Sequence, residues 1–226
     1  MNSFVSVEPK LITKTMLTSL ATIFFTSLII AFSGAMMPGP LLTVTISESS
    51  KRGAMAGPLL ITGHAILELL LITGLLLGLA PVLKHDMFFL ISALLGGSIM
   101  FWMAWGMFRS LPTLSVNTQE GTERKGNLLV TGALMSLANP YWIIWWATIG
   151  IGYIFYSQTF GLPGIVFFFL GHITGDYIWY TAISTAVSKG KKLFTDQVYR
   201  ILIGICGTFL VGFAVYLIMT AANNNL

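Results

Sequence analysis

A Gly-His pair followed by a carboxylate four residues after the histidine occurs twice in this chain, at Gly63-His64-Ala65-Ile66-Leu67-Glu68 and at Gly171-His172-Ile173-Thr174-Gly175-Asp176. Residues i and i+4 share one face of a helix, with Cβ atoms about 5–6 Å apart, so each histidine can hydrogen-bond its own carboxylate. Such a pair can load and release a proton, because imidazole titrates near neutral pH and a carboxylate's hold on protons depends on its surroundings. The plainer alternative is a polar staple between packed helices. Both segments are otherwise apolar, and an ionisable group at membrane depth costs about 2.5–3.5 kcal/mol on insertion scales. Two such pairs, half a chain apart, point to a duplicated proton-coupling site made of His64, Glu68, His172 and Asp176. If the two helices face one another, the same side chains could form an N2O2 set suited to Mn²⁺ or Zn²⁺.

The elements that carry these residues are membrane helices. The chain has 226 residues, 55% hydrophobic and 9% charged, with a mean hydropathy of +0.83, whereas a soluble domain is about 25% charged. No Asp, Glu, Lys or Arg lies between Lys14 and Glu48, between Lys125 and Asp176, or after Arg200. Each run exceeds the roughly 20 apolar residues that cross a bilayer.

Apolar runs set against charges and turn residues predict six helices, at roughly 17 to 46, 54 to 80, 87 to 108, 127 to 156, 163 to 187 and 200 to 221. The first and fourth are long enough to need a break, and each contains one: Pro38-Gly39-Pro40 and Asn139-Pro140. Proline removes a backbone donor and clashes with the preceding turn. A broken helix in lipid must line a cavity or be buried in protein. The breaks free carbonyls and expose helix-end amides that can hold the carboxylate and ammonium of a zwitterion, making Pro38, Gly39, Pro40, Asn139 and Pro140 candidate substrate-binding positions. Taken singly, each break would read as a packing kink.

The 12 Lys and Arg residues fix the expected orientation. Lys10, Lys14 and Lys84 fall on one side; Lys51, Arg52, Arg109, Arg124, Lys125, Lys189, Lys191, Lys192 and Arg200 fall on the other, which the positive-inside rule puts in the cytoplasm. Both termini are then expected outside. The fold class is an all-α integral membrane protein of one domain, residues 1–226. Repeat one spans about 17–108, a cytoplasmic loop about 109–126 and repeat two about 127–221. An odd number of spans per repeat inverts the second copy, and inverted repeats with paired broken helices place a site near the midplane. The run from Leu17 to Ser47 is too long for a signal-peptide core, so no cleavage is expected.

Glu48, beside Ser47, Ser49 and Ser50, reads as a solvated helix end, or else as a cytoplasmic gate. The stretch Tyr141-Trp142-Ile143-Ile144-Trp145-Trp146 reads as an interfacial aromatic belt, or as a cation–π surface for an ammonium group. Gly53, Gly57, Gly63, Gly74, Gly78, Gly204, Gly207 and Gly212 read as close-packing positions. Lys189, Lys191 and Lys192 form a basic cluster that can touch anionic lipid. The single Cys206 can form no intrachain disulfide and reads as core packing. A net charge of +4, spread in short clusters between apolar spans, argues for topology rather than nucleic-acid binding.

The chain has no phosphate-binding Gly-Lys-Ser/Thr loop, no Cys-rich metal motif and no Ser-His-Asp candidate away from the membrane. No cofactor and no enzymatic activity are expected, and transport would run on ion gradients or downhill. The expected partners are a small-molecule substrate and the lipid bilayer, with small-residue faces that would also permit a homodimer.

At these residues the chain resembles the LysE/RhtB family of amino-acid exporters. The similarity rests on Met37-Pro38-Gly39-Pro40, Gly53, Gly57 and Gly63 leading into the second helix, Gly78-Leu79 near its end, Asn139-Pro140, and Asp176-Tyr177-Ile178-Trp179-Tyr180. Leu41 stands where family members often carry a polar residue, and His64 stands where the acid usually follows the glycine directly. The resemblance implies a small secondary transporter in the cell (inner) membrane that exports an amino acid or related metabolite from the cytoplasm, by proton exchange. The competing readings are a divalent-metal exporter using the His/carboxylate pairs and a non-transport membrane scaffold subunit.

Overall fold

The computed structural model describes residues 9–83, 86–113, 126–190 and 195–223. Among the described residues every regular element is helical. The segments named above at Lys84, Arg124, Lys125, Lys191 and Lys192, and most of the polar loop before Gly126, lie outside them.

Both expected breaks are present, and each has a local cause. Helix α1 (Pro9–Ala35) stops before Pro38, because the residue preceding a proline is driven out of the helical region. Its last turn tightens, with Met37 N–H reaching Gly34 O at 3.2 Å. Helix α2 (Pro40–Arg52) then starts with Pro40 in its first turn, where the missing N–H costs nothing. It ends at Gly53, whose φ of 85° suits glycine, and Gly53 N–H closes on Ser49 O at 3.1 Å. Lys51 and Arg52 occupy its last turn, where cations complement the helix dipole.

Helix α3 (Ala56–Gly74) carries the first Gly-His motif and runs into a wider π-turn, Leu75–Leu79. There Gly78 adopts φ 104°, and a Cβ on it would meet nothing within 4 Å. Gly78 is therefore a backbone-bending position, not the close-packing position expected from its spacing. A short α4 (Ala80–Leu83) and a long α5 (Asp86–Ser110) follow. Helix α6 (Leu128–Leu137) is capped by Asn127, which accepts from Leu129 N–H at 3.0 Å. Helix α7 (Pro140–Trp145) starts with Pro140 in its first turn, and its cap, Asn139, accepts from Tyr141 N–H at 3.1 Å. A second π-turn, Trp146–Gly150, leads into α8 (Ile151–Gln158). The axis turns by 68° between Leu128–Leu137 and Tyr141–Gln158. Helix α9 (Gly161–Lys189) carries the second Gly-His motif, and α10 (Asp196–Asn223) completes the fold.

Helix α1 lies along α9, α3 along α6, and α5 along α10, while α2 packs on α9 and α3. Glycines set two of these distances. A Cβ on Gly63 would collide with the Leu129 backbone, and one on Gly132 with the Leu60 backbone, so α3 and α6 touch main chain to main chain. Gly171 meets the Phe24 carbonyl and Ser27 in the same way, joining α9 to α1. Gly212 has open space around it, so the close-packing expectation fails at that position. Cys206 is buried, as expected, among Met100, Ala104 and Leu210.

The outside of the bundle is apolar. Leu77, Trp102 and Trp105 are more than two-thirds exposed, and only 22% of the apolar window in Thr15–Ala35 is buried by protein. A surface of this kind needs lipid over it. Among the described residues, four helices are long and apolar enough to cross a bilayer: Thr15–Ala35, Ala56–Leu79, Gly161–Lys189 and Asp196–Thr220. The bent pair α6 and α7–α8 makes a fifth if it counts as one span.

Candidate functional site

Helices α3 and α9 each turn a histidine and a carboxylate inward, and the two pairs meet. His64 Nε2 lies 3.0 Å from Glu68 Oε1 on its own helix and 3.6 Å from Asp176 Oδ2 on α9. His172 Nε2 lies 3.5 Å from Asp176 Oδ2 and 3.3 Å from Glu68 Oε1. The two i, i+4 pairs are thus one cluster in which each histidine faces both acids. All four side chains are buried, Glu68 at 1% exposure.

The cluster has partners that sequence reasoning did not assign. Trp142 and Trp146 donate their indole N–H groups to Glu68 Oε1 at 3.1 and 2.9 Å. With the histidines, four nitrogens converge on one carboxylate oxygen. An ionised carboxylate is the acceptor such a nest suits, since hydrogen bonds to a charged acceptor are the strong ones. Ser136 on α6 sits 2.8 Å from His64 Nδ1 and gives its own hydroxyl proton to Gly132 O, also at 2.8 Å.

Trp145 and Trp146 are buried at 4% and 0% exposure, and the Trp145 ring centroid lies 4.7 Å from that of His172. The expectation of an interfacial belt over Tyr141–Trp146 therefore fails: these indoles form the wall and the donors of the buried cluster. The signal available in sequence was the i, i+4 spacing of Trp142 and Trp146, the same interval that selects the His/carboxylate pairs. Glu48 also departs from expectation. It is 8% exposed, not solvated, and pairs with Arg52 Nε at 2.7 Å. Arg52 in turn donates to Gly126 O at 2.8 Å, tying the end of α2 to the start of α6.

A small cavity borders the cluster. Its wall includes His64, Glu68, His172 and Asp176 together with Met37 and Gly39 of the first break, Asn139 of the second, and Ser136. Asn139 and Gly39 abut, since a Cβ on Gly39 would stand 3.2 Å from Asn139 Nδ2. Gly39 and Asn139 of the candidate substrate-binding set thus line the same space as the ionisable cluster. Pro38 and Pro40 flank Gly39 in sequence, Pro40 fully buried in the first turn of α2, and Pro140 follows Asn139. The space open to the centre of a water molecule is about 40 Å³, enough for a few waters and too little for an amino acid.

The four donor atoms lie within 4.8 Å of one another, a spacing at which they could hold a metal ion. The two indole N–H groups weigh against that chemistry at Glu68 Oε1. They already donate to that oxygen and, unlike a histidine, cannot give up the proton to become ligands, whereas Glu68 Oε2 is buried without a hydrogen-bond partner.

A polytopic helical membrane protein with buried titratable groups beside broken helices has the architecture of a transporter. The sequence profile of the LysE type translocator family matches residues 32–221, from within α1 into α10, and the chain belongs to that family. It is accordingly a multi-pass membrane transporter, from a family of transporters rather than of enzymes. No curated protein and no solved structure gives a significant match to the chain.

Proposed function

We propose that this protein is a secondary transporter that exports a small amino acid or related metabolite from the cytoplasm in exchange for protons. The observation that carries the proposal is the joining of His64, Glu68, His172 and Asp176 into one buried cluster, on the wall of a cavity bordered by both helix breaks. In this reading the spans form two inverted three-helix repeats in the cell (inner) membrane, with both termini outside. Matched packing supports the repeat: α9 meets α1 at Gly171 as α3 meets α6 at Gly63, each one residue before a cluster histidine.

The substrate binds between Pro38-Gly39-Pro40 and Asn139-Pro140, because interrupted helices can turn backbone amides and carbonyls toward a zwitterion. A cavity of about 40 Å³ makes this conformation a closed one, so the two breaks must separate to admit substrate. The proton-coupling groups lie beside that opening, where substrate entry and proton exchange can exclude one another.

The test is efflux from proteoliposomes loaded with a mixture of amino acids and divalent metals, under an imposed proton gradient, with released material identified by mass spectrometry. Gradient-dependent release of one or a few amino acids is expected. Glu68→Gln and Asp176→Asn should each abolish it while leaving the protein folded in the membrane. Release of metal alone would replace the proposal with metal export, and full efflux in both variants would remove the proton role.

A further inference from the structure

The two histidines sit in unlike surroundings. His64 has an acceptor at each ring nitrogen: Ser136 Oγ at 2.8 Å from Nδ1, and Glu68 Oε1 at 3.0 Å from Nε2. With its hydroxyl proton given to Gly132 O, 2.8 Å away, Ser136 is left as the acceptor for Nδ1. A ring that donates through both nitrogens is an imidazolium. His172 points Nε2 at Glu68 and Asp176, but its Nδ1 is buried without a hydrogen-bond partner. Around that ring stand aromatic groups: Trp145 at 4.7 Å, Trp146 at 5.6 Å and Phe168 at 6.0 Å between centroids.

The difference follows from the sequence. Gly63 packs on Leu129, and Gly171 packs on Phe24. Seven residues beyond Leu129 stands Ser136, and seven beyond Phe24 stands Ala31, which is fully buried and has no hydroxyl to offer. The motif is duplicated, but its supporting group is not.

We propose that Ser136 is a positioning residue that fixes His64 as the permanent cationic partner of Glu68, leaving His172 as the histidine that exchanges protons. The exchange part rests on the transport reading above; the assignment of the two rings does not. In the conformation described, His172 is neutral, donating from Nε2 with a bare Nδ1. Loading forms an N–H bond at Nδ1 as an O–H bond of hydronium breaks, leaving water, and unloading reverses this. The faces of Trp145 and Phe168 then offer the new cation a π surface. The groups facing the pair are Glu68 from α3, Asp176 from α9 and the indole N–H groups of Trp142 and Trp146.

The experiment is ¹⁵N NMR of the full chain labelled at its histidine rings and purified in detergent at neutral pH. Only three histidines are present, so His64→Asn and His172→Asn assign the signals. The expected spectrum has both nitrogens of His64 protonated and His172 as the neutral Nε2–H tautomer. Ser136→Ala should move the His64 Nδ1 signal and lower gradient-driven efflux about tenfold, the scale of one hydrogen bond to a charged group. Ser136→Thr, which keeps a hydroxyl, should restore both. A neutral His64, a charged His172, or a His64 signal unmoved by Ser136→Ala would overturn the assignment. The wild-type spectrum decides it even if the alanine variant fails to fold. A correct spectrum with no proton-driven efflux would sink the transport reading alone.

Discussion

Trp146 donates its indole N–H to Glu68 Oε1 at 2.9 Å, across 78 positions of sequence. The contact joins a π-turn after α7 to the centre of α3 and gives the acid a donor from outside the two histidine-bearing helices. Helix widening of this kind often marks a functional site, and here it sets a wholly buried indole at a carboxylate oxygen that both histidines face.

Replacing Trp146 by Phe keeps an aromatic ring but removes this donor and, at a fully buried position, leaves a void as well. Removing a hydrogen bond to a buried charged acceptor costs about 1.5–3 kcal/mol. Trp146→Phe should therefore lower the unfolding temperature in detergent and cut gradient-driven efflux by tenfold or more. Trp142→Phe should do less, since Trp142 is only partly buried and its bond is longer, at 3.1 Å. Thermal melts and initial efflux rates for both variants check the order; equal effects would place the two donors on the same footing.

Gly63→Ala tests the main-chain contact that brings α3 to the cluster. The added methyl would collide with the Leu129 backbone, which has no rotamer with which to yield, and forced overpacking typically costs about 1–3 kcal/mol. The helices must part, moving His64 away from Ser136. Gly212→Ala is the matched control, with nothing within 4 Å of its Cβ, and should melt within about 1 kcal/mol of the parent. If Gly63→Ala melts like Gly212→Ala, the contact does not set the spacing.

Much of this was legible in sequence, and for identifiable reasons. Pro38 and Pro140 announce the two breaks because proline acts locally, whatever surrounds it. The Gly-His-x-x-x-carboxylate motif announces four buried ionisable groups because it recurs inside apolar runs. That His64 also faces Asp176, and His172 also faces Glu68, was not legible, since it depends on how α3 and α9 are set relative to each other. Trp142 and Trp146 were hidden by ambiguity: indoles in membrane helices suit an interface and a buried acceptor equally. Ser136 carries no periodic signal, being one hydroxyl in an apolar helix. Glu48 misled because Lys51 and Arg52 beside it suggest solvent, while the fold turns its side chain inward.

Asn139 makes contact with both breaks. Its side-chain oxygen caps α7 by accepting from Tyr141 N–H, while its amide nitrogen borders Gly39. Loss of such a cap costs about 0.5–2 kcal/mol. Asn139→Ala should destabilise the fold by about that amount and, by enlarging the cavity between the breaks, change which amino acids are released. Asn139→Ser, which can still cap, should recover the stability but not the original selectivity. Melting curves and competition efflux with a mixed amino-acid pool separate the two effects. Recovery of both by serine would reduce Asn139 to its cap.

Glu48 and Arg52 permit a sharper test, because their interaction can be isolated from everything else either residue does. The carboxylate is largely buried and its partner is less so, with side-chain exposures of 11% and 30%. Removing the cation strands a charge, whereas removing both charges does not, and the first is the costlier event in a poorly solvated site. Arg52→Ala should therefore destabilise more than the double variant Glu48→Gln/Arg52→Ala, with a coupling energy of about 0.5–3 kcal/mol in the cycle. Arg52 also donates to Gly126 O at the entrance to α6, so its loss frees the end of α2 from the start of the helix that carries Ser136. Faster release of substrate without a gradient should accompany the loss of stability in Arg52→Ala and persist in the double variant, which regains the charge balance but not the tie to Gly126. A double variant as tight as the parent would assign the tie no part in holding the closed conformation.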